Sequence, residues 1–406
     1  MTNESVRSIG GRIADARKSR GLTQLALADR LHVSLSLLRK VEQGSRDATP
    51  AFVAAAARIL GVDVTALTGQ PYDQTGRRPD RIHSLIPKLR RALTYWDLAP
   101  DPPSVRALPH LRAEAERAAE LRRTGQHVAL ADMLPGVLME TTAAVHQACG
   151  HDRDKLFEVL TVLLFAAHSV TYKTGYEDLS SVVEDRISWA AERSGDPLMI
   201  ALAAWARTTS MLQTGSYDIG RRLLDRIQGE LRVRGHEGRE AALWVSAPLH
   251  LRSAMLCARG GDAQTSMTHL AEARTIARHL GECDYDGGWH QLSFGPSNVG
   301  IHEVAAHIEL NDAAGAVARA DALRLPKDLP PIRAAQHYVD LSRAQLWIGR
   351  TQAALQSLYA ARQLAPQQTR HMPTTREVVR MLVRAQHRNN EPLARLVGWI
   401  GTDGEI

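Results

Sequence analysis

Along most of this chain apolar residues return every three or four positions, strict apolar–polar alternation is almost absent, and glycine or asparagine stops come at intervals. That pattern predicts an all-α protein. At the N-terminus it resolves into short helices: a first carries Ile9, Ile13 and Ala16 on one face and ends at Gly21, and a second, capped by Thr23, places Leu25, Ala28 and Leu31 inward. A third, capped by Ser34, turns Leu37, Leu38 and Val41 inward and ends at Gly44; Thr49 followed by Pro50 opens a fourth, and a short fifth follows.

Only "HV" and the capping serine separate helices two and three, so the two must cross steeply and leave the outer face of the third free. Leu35, Ser36, Arg39 and Lys40 lie on that face. In a DNA major groove arginine and lysine donate to guanine, serine donates or accepts, and leucine meets a thymine methyl.

This stretch resembles the Cro/phage-repressor (xenobiotic-response-element) helix-turn-helix family through Arg17, Gly21, Leu22, Thr23, Gln24, Leu27, Ala28, Leu31, Val33, Ser34, Ser36, Glu42 and Gly44. The resemblance implies a phosphate contact for Gln24, base contacts for Leu35, Ser36, Arg39 and Lys40, and backbone proximity for Gln43 and Ser45, with the capping Ser34 counted among the DNA-binding residues. It also implies that Arg17 pairs with Glu42 to hold the third helix in place. One departure is His32, where the family usually has glycine, so a histidine must take the left-handed turn.

Further along, six helix-turn junctions of one kind stand at Gly125, Gly175, Gly215, Gly261, Asn311 and Gly349, separated by 50, 40, 46, 50 and 38 residues. Spacings of that size predict stacked helical hairpins. Stretches such as "LRSAMLCARGGDAQTSMTHLAEARTIARHL" resemble degenerate tetratricopeptide repeats, which implies an α-solenoid with a concave binding surface. The expected organisation is a helix-turn-helix domain over 1–68, a linker over 69–80 and a repeat domain over 81–406 serving effector sensing and dimerisation. Head and repeats together resemble the peptide-pheromone receptors of Gram-positive bacteria and the large repeat-containing regulators of filamentous actinomycetes, to which "LTGQPY" and "FGPSNVGIH" are similar.

Charge sharpens the picture. The net charge is +6, and residues 1–80 hold 12 basic against 8 acidic residues, so the excess is concentrated where a polyanion would bind. Arg77 and Arg78 in the linker read as solvated or phosphate-touching. The start is too polar for a signal peptide, and the apolar runs are read as too short for a membrane helix, giving a cytoplasmic protein with no membrane partner. Cys149, Cys257 and Cys283 are far apart, without CxxC spacing, and read as packed thiols.

The repeat pattern breaks between His279 and Leu310 with Gly, Pro, Trp and Asn. A metal site would draw on His279, Cys283, Asp286, His290 and His302, but these lack the HExxH or zinc-finger spacing, so neither metal nor cofactor is expected. Two readings stay open: a structural insert, and an effector-pocket wall formed by Trp289, Phe294, Asn298 and His302. No phosphate loop, GxSxG elbow or close nucleophile–base pair is present, so no enzyme is expected. The function these features predict is a homodimeric regulator of double-stranded operator DNA, controlled by a small molecule or peptide. The alternative is a scaffold whose repeats hold a regulatory protein while the head localises it on DNA.

Overall fold

The structure, a computed structural model, describes residues 8–71, 81–98, 104–233, 239–280, 292–385 and 391–401. Among the described residues it is all-α, without a β-strand. The head contains α1 (Ile9–Ser19), α2 (Gln24–Leu31), α3 (Leu35–Glu42), α4 (Pro50–Leu60) and α5 (Val64–Thr68). Its first four helices share one start signal: the hydroxyls of Ser8, Thr23, Ser34 and Thr49 each accept a backbone N–H three residues on, all at 3.1 Å. Each such cap contributes about 1 kcal/mol by satisfying an otherwise orphaned donor.

Ile13, Leu27, Leu38, Leu60 and Leu67 fill the head core. The inward face of α2 is therefore Leu27, Ala28 and Leu31; Leu25, expected inward, is 57% exposed, because the helix begins at Gln24 and its register turns position 25 to solvent. His32 does take the left-handed conformation, at φ 54° and ψ 41°, and the amide of Val33 closes the turn on the Ala28 carbonyl at 3.1 Å. Gly10 allows α1 to rest on the backbone of α3: a Cβ there would stand 1.9 Å from the Val41 carbonyl oxygen.

After α6 (Arg81–Thr94), helices pair as hairpins. These are α7 (Leu108–Arg123) with α8 (His127–Gln147), α9 (Gly150–Thr174) with α10 (Glu177–Ser194), and α11 (Pro197–Thr214) with α12 (Tyr217–Val233). Next come α13 (Arg239–Arg259) with α14 (Ala263–Leu280), α15 (Pro296–Glu309) with α16 (Ala313–Ala322), and α17 (Pro331–Trp347) with α18 (Thr351–Leu364). The chain ends in α19 (Pro366–His371), α20 (Pro373–Ala385) and α21 (Glu391–Ile400). All six hairpin turns pass through a left-handed residue at the junctions read from sequence, with φ between 63° at Asn311 and 83° at Gly175.

The first helices of successive hairpins stack on one another in the order α7, α9, α11, α13, α15, α17, and α20 completes the row. The array curls further than an open solenoid, because its end returns to its beginning. Helix α19 packs on α9, the Gln367 side chain accepts the Val128 amide at 2.9 Å, and the Lys173 ammonium donates to Gln336 at 3.5 Å. Gly125 makes room at this seam: a Cβ there would meet Ile332 at 3.1 Å and Ala365 at 3.3 Å. The hairpins thus form a closed ring.

Helices α8 and α9 are long and apolar enough to cross a bilayer by length and composition, contrary to the expectation from the runs read singly. In this fold they are core helices, α9 having 83% of its most apolar window inside the protein. Cys149 is exposed rather than packed, whereas Cys257 is buried; Cys283 lies outside the described residues.

The head sits on the ring. Helix α4 packs on α11, and the turn after α3 reaches α17, where the buried Asp47 carboxylate forms an ion pair with Arg343 at 2.5 Å and accepts the Trp347 indole N–H. The Arg46 guanidinium lies 3.8 Å above the Trp347 ring. The Arg384 guanidinium donates to the Gln43 carbonyl at 3.0 Å, Glu377 accepts the Ile9 amide at 3.3 Å, and Gln70 donates to the His371 carbonyl at 3.2 Å. Of the residues expected to begin a linker, Gly69 caps α5 and Gln70 belongs to the joint; residues 72–80, with Arg77 and Arg78, lie outside the described residues.

Asp47 and Arg343 are 4% and 3% exposed, so removing one charge strands the other. Asp47→Ala is expected to cost about 3 kcal/mol in urea denaturation, and Asp47→Ala/Arg343→Met to recover most of it. Equal losses in the single and double variants would show that the pair does not hold the joint.

Candidate DNA interface and the cavity beneath it

Helix α3 buries Leu38 and Val41, and this orientation turns Ser36, Arg39, Lys40 and Gln43 to solvent as one exposed strip. Leu35 is half-buried against the head core rather than fully presented. Ser34 is exposed, but its hydroxyl is used in capping α3. Ser45, also exposed, donates its hydroxyl to the Lys40 carbonyl at 3.1 Å and so tightens the end of the helix.

The angle of this strip is fixed from behind. Arg17 grips Glu42 with two bonds, Nε to Oε1 at 2.7 Å and Nη2 to Oε2 at 3.0 Å, and its Nη1 reaches the Leu22 carbonyl at 2.7 Å. The bond to Glu42 holds the Arg17 guanidinium charged, above its ordinary range. Gln24, expected at a phosphate, donates its amide to Glu42 Oε2 at 2.8 Å and joins the same lock. Three helices are thereby tied at one carboxylate, a bidentate geometry that lysine in place of Arg17 would not reproduce.

Between head and ring lies a cavity of about 390 Å³. Its ring side is lined from α9, α11, α13, α15 and α17, the stacked first helices; its head side is formed by Ala48, Pro50, Val53 and Val64 among others. Of the expected pocket residues, Asn298 and His302 line it. The Asn298 amide donates to the Ser293 carbonyl at 2.7 Å, and its Oδ1 accepts from Arg333 Nε at 2.9 Å. His302 Nδ1 stands 2.7 Å from the Asn298 carbonyl, and burial, with Arg333 beside it, pushes the imidazole down to about 3, so it is neutral. Phe294 is not in the wall: it is buried in the core edge-on to Trp244, at 6.2 Å between centroids. Trp289 lies outside the described residues, as do Cys283, Asp286 and His290. Among the described residues no group of three or more metal-ligating side chains comes together.

The cavity's most unusual groups were not anticipated from sequence. Arg252 stacks over Trp205 at 3.6 Å, Arg333 holds Asn298, and Lys173 points to Gln336. Burial lowers all three, Arg252 to about 9, Arg333 to about 10 and Lys173 to about 8, with Arg333 and Arg252 adding to the effect on Lys173. Their signal was a cation set within an apolar helix face, as in "APLHLRSAMLCA".

Residues 8–68 match the family model described as a helix-turn-helix domain. No curated protein matches the chain, and no solved structure does.

Glu177, at the cavity beside Gln213, is pushed up to about 7 by burial and then by Asp63 of the head. Its folded form therefore holds a proton that the unfolded chain has released between pH 4.5 and 7, so its contribution to stability falls as pH rises through that window. Glu177→Gln is expected to be more stable than the parent at pH 8, by an amount on the order of 3 kcal/mol at most, and equal to it near pH 4.5. Thermal unfolding at the two pH values checks this; a gain that does not change with pH would assign it to packing.

Proposed function

We propose that the chain is a transcriptional regulator that binds double-stranded operator DNA through α3, as a homodimer on a pseudo-palindrome, under the control of an effector held by the ring. The observation that carries this reading is the exposed strip of Ser36, Arg39 and Lys40 on a helix locked by Arg17 and Glu42. A rigid, basic helix edge of this width suits the major groove, and one such helix contacts only a few base pairs, which favours a two-headed reader with half-sites about one turn apart. The head is of the Cro/phage-repressor type in this reading, and the ring a set of degenerate tetratricopeptide-like hairpins, supported by the left-handed junctions and the stacked first helices. Effector control follows if the ligand binds more tightly to one arrangement of head and ring than to another. The chain acts on the chromosome in the cytoplasm and as a binding protein, not an enzyme.

The test is binding of the full chain to DNA from its own upstream region at two salt concentrations, beside Arg39→Ala/Lys40→Ala and an unrelated duplex. Sequence-specific binding is expected, with the variant weakened and its log–log salt slope shallower by about 2 where both cations meet phosphate. Salt-sensitive binding without sequence preference would overturn the operator reading.

A further inference from the structure

Among the described residues, the ring cavity holds more cations than its carboxylates offset. Of the carboxylates lining it, Asp47 is taken by Arg343, Glu309 by Arg259 at 3.3 Å, and Glu377 by Arg380 at 2.5 Å. Glu177 is drawn towards its neutral form, and Asp340, also raised by burial, accepts two bonds from Gln336 at 3.1 and 3.2 Å. Arg252, Arg333 and Lys173 thus face the cavity with an indole, an asparagine, a histidine and a glutamine as their close partners among the described residues; Asp340 offsets Arg333 and Lys173 only in part, and none of the three forms an ion pair with a carboxylate there. Buried cations left this way are costly, and a ligand that supplies the missing negative charge regains that cost on binding. Apolar wall is supplied by Trp205, Leu251 and Ile301 on the ring side and by Val53 and Val64 opposite.

We propose that this cavity binds a small amphipathic organic anion, its carboxylate held by Arg252, Arg333 and Lys173 and its apolar body lying against Trp205, Leu251 and Ile301. The volume, about 390 Å³, is at the lower end of small-molecule sites. Because one wall belongs to the head, an occupant touches head and ring together and is bound more tightly when the head is seated; occupancy therefore favours the seated arrangement. That consequence deepens the reading of the ring as a sensor and rests on it, whereas the anion site itself does not require DNA.

The experiment uses the full chain with anilinonaphthalene sulfonate as a fluorescent amphipathic anion, and decanoate and decanol as charged and neutral competitors of equal length. Saturable dye binding is expected, displaced by decanoate at concentrations at least about tenfold below those of decanol. Arg252→Met and Arg333→Met should each weaken the dye roughly tenfold or more, while Arg39→Ala/Lys40→Ala binds it as the parent does. Equal potency of decanol and decanoate, unsaturable dye uptake, or undiminished binding by both methionine variants would overturn the site. The comparison of competitors needs no variant, so a misfolded substitution does not remove the test. Anion binding without sequence-specific DNA binding would defeat the regulator reading alone; specific DNA binding without charge-selective displacement would defeat the anion site alone.

Discussion

Asp47 sits where a DNA-reading fold meets a closed ring of helices, and the geometry of both depends on what it holds. Its carboxylate is buried, and Arg343 and the Trp347 indole make that burial tolerable by supplying the opposite charge and a hydrogen bond. These two partners come from the last turns of α17, so the turn after α3 is fastened to the ring's inner wall and not to its outer surface. The recognition helix ends four residues before that turn begins to enter the ring, and Arg384 grips the intervening Gln43 carbonyl. The helix and the ring therefore share a short, hydrogen-bonded connection.

The same seating makes the cavity. An open stack of hairpins would present Arg252, Arg333 and Lys173 to water, where isolated cations cost nothing; ring closure and the head over one side remove that water and depress all three. Hydrophobic closure and buried charge are in opposition here. The apolar stacking of α9, α11, α13, α15 and α17 contributes the stability from which the cost of the cations is met. Functional sites are the usual place for such a conflict, since a polar group without a partner adds nothing to folding.

What could be read from sequence was local. The hydroxyl caps at Thr23, Ser34 and Thr49, the Arg17–Glu42 pair and all six left-handed junctions are set by residues within a turn or by a motif about 25 residues long. Leu25 shows the limit even there, because one position of helix register moves a leucine from core to solvent. Ring closure and head seating were not legible. They rest on contacts such as Val128 with Gln367 and Ile9 with Glu377, separated by 239 and 368 residues, and no periodicity records which distant turns meet. The cavity lining was legible only in part: Asn298 and His302, read from the break in the repeat, line it, but Phe294 went to the core and the three cations come from three separate hairpins.

A seated head leaves Ser36, Arg39 and Lys40 exposed, so seating does not act by covering the reading face. It fixes orientation instead. In a two-headed reader the spacing of recognition helices must match the DNA repeat to within a fraction of a turn, and a head free to swing meets that spacing only part of the time. On the proposed two-headed reading, whatever steadies the joint raises the fraction of molecules able to contact both half-sites, and whatever loosens it lowers that fraction. The joint's polar bonds lie around the rim, at Asp47, Gln43, Ile9 and Gln70, while its centre is the cavity, where Val53 and Val64 face the ring across open space. Filling that space would add apolar contact between the two parts of the joint, which is why the proposed effector control is placed at this cavity.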